Sequence, residues 1–152
     1  MLADKDFLEF LSLLNQHGVE YLVIGGHAMA AHDRPRYTGD MDIWVNPTVE
    51  NAERVVAAIT DFGFGSLGVT KEDFLTDKYF VQLGYEPVRI DITADISGVK
   101  FNEAYPKRKM INVQGLHVPF IGIHDLIANK LSSAREQDLL DVKNLRKRLK
   151  ED

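Results

Sequence analysis

A pair of glycines, followed fourteen residues later by an Asp-x-Asp pair, constrains this chain more than any other feature. Gly25-Gly26 closes the apolar run Tyr21-Leu22-Val23-Ile24, a buried-strand pattern. Asp40-Met41-Asp42 enters a second strand pattern, Met41-Asp42-Ile43-Trp44-Val45. Along a strand, side chains two apart share a face at about 6.6 Å, so Asp40 and Asp42 project together. Two carboxylates at that separation repel by about 2.5 kcal/mol at an effective dielectric near 20. Asp is also a poor strand former. A divalent cation removes the conflict, and Mg²⁺ takes carboxylate oxygens while leaving positions for phosphate oxygens.

Asp91 interrupts another strand pattern, Val88-Arg89-Ile90-Asp91-Ile92. If that strand lies beside the one carrying Asp42, three carboxylates converge on one edge of a sheet. They would hold one or two metal ions, and the third carboxylate would be placed to take a proton from an attacking hydroxyl. Gly25-Gly26 has a complementary role. Without side chains the backbone can approach a phosphate closely, and the helix that follows offers unpaired N–H groups and the positive end of its dipole.

The remaining chain reads as interleaved strands and helices early and a hairpin late. Phe7, Leu8, Phe10, Leu11, Leu13 and Leu14 have helical spacing, with Gly18 as a stop. His27 to His32 reads as a short helix. Thr48 is the expected N-cap of a helix running to about Phe62, with Val55, Val56, Ile59 and Phe62 inward and Gly63 as terminator. Strands are expected at Tyr79 to Leu83 and Val88 to Thr93, and a hairpin of Met110 to Val113 and Leu116 to Ile121 turns at Gln114-Gly115. Helices follow from His124 to Leu131 and from Ala134 to Leu149, with Ser133-Ala134-Arg135-Glu136 fitting a capping box. The expected class is α+β, a central mixed β-sheet flanked by helices with a helical C-terminal segment. The 152 residues suit a single domain, 1–152.

Bulk properties exclude several functions. The net charge of −5 argues against coating nucleic acid nonspecifically, which needs an excess of Lys and Arg. No cysteine is present, so disulfides and thiolate metal sites are ruled out. No apolar run reaches the roughly 18 residues of a membrane span. Met1 to Asp6 is acidic and unlike a signal peptide, so no membrane association and a cytoplasmic location are expected.

Val23-Ile24-Gly25-Gly26-His27-Ala28, then Arg36-Tyr37-Thr38-Gly39-Asp40-Met41-Asp42-Ile43, resembles the signature of the DNA polymerase β-like nucleotidyltransferases. It is similar to their minimal bacterial branch, which includes nucleotidyltransferases of abortive-infection toxin–antitoxin systems. The stretch from Lys130-Leu131 to Val142, with Arg135 and Asp138, also looks like that branch. The resemblance implies a nucleotidyltransferase fold, with Mg²⁺ (Mn²⁺ as the alternative ion) held by Asp40, Asp42 and Asp91. It also implies transfer of a nucleoside monophosphate from a nucleoside triphosphate such as ATP, with pyrophosphate released. The acceptor hydroxyl stays open: RNA or tRNA, a small molecule, or a protein side chain. A toxin–antitoxin partner is a further implication.

Several residues carry two readings. Arg34 and Arg36 either bind the triphosphate with forked donors or solvate a loop and pair with Asp40. Thr38 either hydrogen-bonds near the metal site or simply enters the strand. Lys130 either contacts a phosphate or extends from an ordinary helix. Arg135 and Asp138 read as an ion pair across one helical turn. His27 begins a helix and is a candidate substrate contact, where many relatives carry Ser, while His32 and His124 read as structural. Trp44 is expected in the core. Two rival functions stand beside the enzyme: a catalytically inactive, antitoxin-like partner-binding module, and an RNA-binding regulator using the basic run Lys143 to Arg148.

Overall fold

The computed structural model describes residues 4–35, 38–76, 80–85 and 87–151. Chain order is α1 (Lys5–Gln16), β1 (Tyr21–Ile24), α2 (Gly25–His32), β2 (Asp40–Val45), α3 (Val49–Ile59), β3 (Phe80–Tyr85), β4 (Val88–Thr93), α4 (Phe101–Ala104), β5 (Lys109–Val113), β6 (Leu116–Phe120), α5 (Ile123–Ser133) and α6 (Glu136–Glu151). The strands form a six-stranded sheet in the order β3-β4-β2-β1-β6-β5. β2 runs parallel to β4 and β1 parallel to β6, while the other pairs are antiparallel. The sheet is therefore mixed and the class α+β.

Alternation along the strands builds the core. Met41, Ile43 and Val45 of β2, with Ile90 and Ile92 of β4, are at most 2% exposed. α1 contributes Phe7, Phe10, Leu11 and Leu14, all buried at i, i+3, i+4 and i+7, and packs against β4, β6 and α3. Asp4 caps α1 by accepting from the Asp6 N–H at 2.8 Å. α2 lies on β1 and β2, and α5 packs on α6.

Besides shifts of one or two residues at other element ends, three features differ from the sequence reading. α2 starts at Gly25, so the glycine pair forms the first turn of the helix and does not precede it. α3 ends at Ile59, because residues 60–64 widen into a π-turn in which Gly63 takes φ +102°. That turn brings Phe62 against Phe10, ring centroids 5.1 Å apart. The capping box at Ser133 is not formed. Ala134 adopts a left-handed φ of +53°, ending α5 at Ser133, whose hydroxyl donates back to the Asn129 carbonyl at 2.9 Å. α6 is capped instead from inside, by Asp138 accepting from the Arg135 N–H at 3.3 Å. Tyr79, expected to open β3, lies outside the described residues.

Candidate active site

The pairing of β2 with β4 decides what the acidic residues can do together. Asp42 is opposite Asp91, and Asp40 is opposite Arg89. With a side-chain period of two, Asp40, Asp42, Arg89 and Asp91 all stand on one face. Met41, Ile43, Ile90 and Ile92 fill the other, and a slip of one residue would drive the carboxylates into the core. On the far side of β2, Ile24 of β1 is opposite Asp42, which brings the start of α2 to the same spot. Further along this face Trp44 is buried, its indole edge-on to Phe101 of α4 at 5.1 Å.

Arg89 is the residue that the sequence reading missed. Its Nη2 donates to Asp40 Oδ2 and, at 3.2 Å, to Asp91 Oδ2, and its Nε lies 3.1 Å from Asp91 Oδ1. One guanidinium thus ties two of the three carboxylates. The signal was present in Arg89-Ile90-Asp91, since residues two apart share a strand face, but it acquires meaning only beside Asp40.

Asp42 has the most unfavourable surroundings of the three. Burial pushes its pKa up to about 6, and the charges of Asp91 and Asp40 add to the effect against relief from Arg89. Asp91 is also raised, burial outweighing the hydrogen bond and charge of Arg89. Asp40 Oδ1 is buried with no hydrogen-bond partner among the described residues. Three carboxylates against one guanidinium among the described residues, with a buried oxygen unsatisfied, suit a hard divalent cation. As they stand, no three described His, Cys, Asp or Glu side chains are drawn together into a finished metal cage. The guanidinium fills the interval between Asp40 and Asp91.

The glycines let α2 come this close. Gly25 has φ +68°, and a Cβ there would fall on the Asp42 carboxylate; a Cβ on Gly26 would fall on Thr38 Cγ2. The N-cap residue of α2, Ile24, has no side chain able to cap the first turn, which begins next to Asp42. His27 faces inward, 3% exposed and edge-on to Phe7 at 5.6 Å. Its Nε2 is 2.8 Å from Thr38 Oγ1. Burial lowers its pKa to about 4, against an opposing hydrogen bond to the Asp40 backbone. A neutral imidazole therefore joins Thr38 to the entry of the acidic strand.

The other candidates are placed as follows. Arg36 lies outside the described residues, and Arg34 is exposed. Lys130 is buried between α5 and α6, with Nζ 2.8 Å from Asp141 Oδ2 and 3.5 Å from Asp138 Oδ1. Arg135 Nε is 2.8 Å from Asp138 Oδ2. His32 bonds the Ile121 carbonyl at 2.7 Å, and His124 is exposed.

A mixed sheet, a glycine-led helix running off one strand, an Asp-x-Asp strand beside it and a third carboxylate on the parallel neighbour define a protein of the DNA polymerase β-like nucleotidyltransferase class. Residues 3–152 match the family described as "Nucleotidyl transferase of unknown function (DUF2204)". The chain belongs to that family, and a nucleoside triphosphate is the donor substrate its class implies. The fold recurs in TM1012 of Thermotoga maritima, designated a nucleotidyltransferase, at TM-score 0.56 and 16% identity over 95% of this chain and 91% of that one. It recurs in the lincosamide antibiotic adenylyltransferase LnuA, solved with lincomycin bound, at TM-score 0.54 and 16% identity over 95% and 96% of the two chains. An antigenic nucleotidyltransferase-like protein of Paracoccidioides brasiliensis gives TM-score 0.55 and 14% identity over 92% and 74%. Likeness at these identities is likeness of fold. No curated protein matches by sequence.

Proposed function

We propose that this chain is a Mg²⁺-dependent nucleotidyltransferase whose metal-binding and catalytic residues are Asp40, Asp42 and Asp91. The observation that carries the reading is the register placing Asp42 opposite Asp91, with Asp40 two residues away on the same face. Mg²⁺, or Mn²⁺ in its place, would be held by these carboxylates and would supply charge neutralisation of the polyphosphate and acidification of the attacking hydroxyl.

The protein's own groups do the rest by position. The first-turn amides of α2, reached across Gly25 and Gly26, receive the β- and γ-phosphates. Asp91 takes the proton of the acceptor hydroxyl, a role favoured by its raised pKa. The acceptor oxygen bonds to the α-phosphorus, the bond from that phosphorus to the bridging oxygen breaks, and pyrophosphate leaves with its electron pair. His27 and Thr38 keep the entry of β2 in place beneath the phosphates. Arg36 adds forked donors to the triphosphate. Of the proposed nucleotide contacts Lys130 is supported least, because its ammonium is already neutralised by Asp141.

The acceptor is a hydroxyl on RNA or tRNA, on a small molecule, as in the antibiotic adenylyltransferase LnuA, or on a protein. We place the activity in the cytoplasm; no helix among the described residues is long and apolar enough to cross a membrane. A partner-binding, antitoxin-like module is the second reading, favoured by Leu131, Leu139 and Leu140, which are 42%, 50% and 51% exposed on α5 and α6.

The test is thermal unfolding with Mg²⁺ and each nucleoside triphosphate, separately and together, on wild type and Asp42→Asn. A ligand at about 100 times its Kd adds roughly 2.7 kcal/mol. A joint Mg²⁺ and triphosphate shift, lost in Asp42→Asn together with label transfer from α-³²P-triphosphate, is expected. Wild-type transfer rates in Asp42→Asn would sink the mechanism. Tight partner co-purification without nucleotide binding would favour the second reading.

A further inference from the structure

We infer that Arg89 is the resident counter-ion of the acidic site and that a divalent cation enters by displacing it into the cavity under the edge strand β3. The inference rests on the reading of Asp40, Asp42 and Asp91 as metal ligands. The guanidinium engages Asp40 Oδ2 and both oxygens of Asp91, at 3.2 Å for Nη2 to Oδ2 and 3.1 Å for Nε to Oδ1. A metal at ligand distance from those oxygens, about 2.1 Å for Mg²⁺, would compete for the same lone pairs and repel the same charge. Arginine does not yield by losing its proton, so it has to move.

The fold leaves it somewhere to go. A cavity of about 270 Å³ adjoins the guanidinium, lined by Phe64, Leu67, Gln82, Gly84, Tyr85 and Arg89 itself. Gly84 is the cross-strand partner of Arg89 and presents no side chain there. Its φ is +78°, and a Cβ would meet the Val88 carbonyl oxygen at 2.7 Å, so a larger residue is disfavoured at that position. Phe64 and Tyr85 bring two aromatic rings to its lining, and a guanidinium stacks on such rings. The Arg89 side chain is 27% exposed, so the movement opens no buried core. The arrangement explains why the three carboxylates are near one another yet not closed into a cage: one cation holds the place of another.

The experiment measures Mn²⁺ binding by the loss of the free-ion EPR signal, with no nucleotide present, on wild type, Arg89→Gln, Arg89→Lys and Asp42→Asn. Thermal unfolding without metal is recorded in parallel. Arg89→Gln should bind Mn²⁺ about tenfold to a hundredfold more tightly, the equivalent of one charge-assisted hydrogen-bond set released. It should also melt at a lower temperature than wild type when metal is absent. Arg89→Lys, which keeps the charge without the fork, should fall between, and it carries the comparison if Arg89→Gln does not fold. In ¹⁵N-labelled wild type, the Arg89 Nε–H resonance should move when Mg²⁺ is added. Equal or weaker Mn²⁺ binding in the folded Arg89 variants, beside Asp42-dependent binding in wild type, overturns the displacement and leaves the metal site standing. Absence of Asp42-dependent binding in all of them overturns the metal reading, and this inference with it.

Discussion

Asp42 and Asp91 face each other across two parallel strands, paired residue to residue at the partly buried end of a sheet. Strands lie about 4.8 Å apart, so this pair is closer than Asp40 and Asp42 are along one strand. The fold holds Asp42 where burial and the charge of Asp91 make it harder to ionise, with the Arg89 guanidinium giving only partial relief. A structure optimised for stability alone would not do this; functional sites are where such conflict collects.

Neutralising Asp42 should therefore stabilise the metal-free protein. Its pKa rises from 3.8 to about 6 on folding, so its contribution to stability is complete below the lower value and lost as pH climbs through the higher one. At pH 7 Asp42→Asn should be more stable than wild type by roughly 2 kcal/mol, or about 4–8 °C in Tm. Near pH 4 the two should melt together. Calorimetry between pH 4 and 8 in the presence of a chelator reads this directly, and a variant less stable at every pH would contradict it.

Metal affinity should follow the same group. In the proposed site ligation would require the Asp42 carboxylate, so below about 6 each proton taken up would oppose the ion. Mn²⁺ titrations should be flat above pH 7 and weaken by up to about tenfold per pH unit below 6. An affinity unchanged from pH 7 to 5 would show that Asp42 is not a ligand.

Gly26 should tolerate a methyl group only if Thr38 gives one up. Gly26→Ala puts its Cβ onto Thr38 Cγ2 and should cost about 1–3 kcal/mol. Thr38→Ser removes that methyl while keeping the hydroxyl beside His27. The double variant should recover most of the loss in urea unfolding, a coupling that a double-mutant cycle isolates. Additive losses would place the strain elsewhere.

Lys130 should matter to stability more than to nucleotide binding. Lys130→Met leaves Asp141, whose side chain is 2% exposed, without its lysine and should cost roughly 3 kcal/mol. Gln137, 2.9 Å from Asp141 Oδ1, cannot replace the charge. Triphosphate affinity of the folded variant should change by less than about tenfold. A larger loss of affinity with stability unchanged would return Lys130 to the phosphates.

How much was legible depends on the range of the interaction. β1 and β4 occupy the expected residues, because an apolar run closed by glycines and an alternating pattern are local facts. The Gln114-Gly115 hairpin is local too, its turn residues taking φ of +50° and +89°. The capping box at Ser133 misled because a left-handed Ala134, chosen by how α5 meets α6, competes with a motif that weighs only a few residues. The burial of His27 against Phe7 was not legible, because it depends on a helix residue twenty positions earlier in the chain.

By itself the sequence determined that Asp40 and Asp42 share one face of a strand, that Asp91 and Arg89 share one face of another, and that a glycine pair closes the apolar strand ahead of a helix. The period of two and the missing Cβ atoms require no knowledge of neighbours. Only the tertiary structure decided that these two strands lie side by side, with Asp42 against Asp91 and Arg89 reaching Asp40. The apolar reverse faces, Met41 and Ile43 on one strand and Ile90 and Ile92 on the other, lock that register by burying together, and the polar faces are carried into place with them.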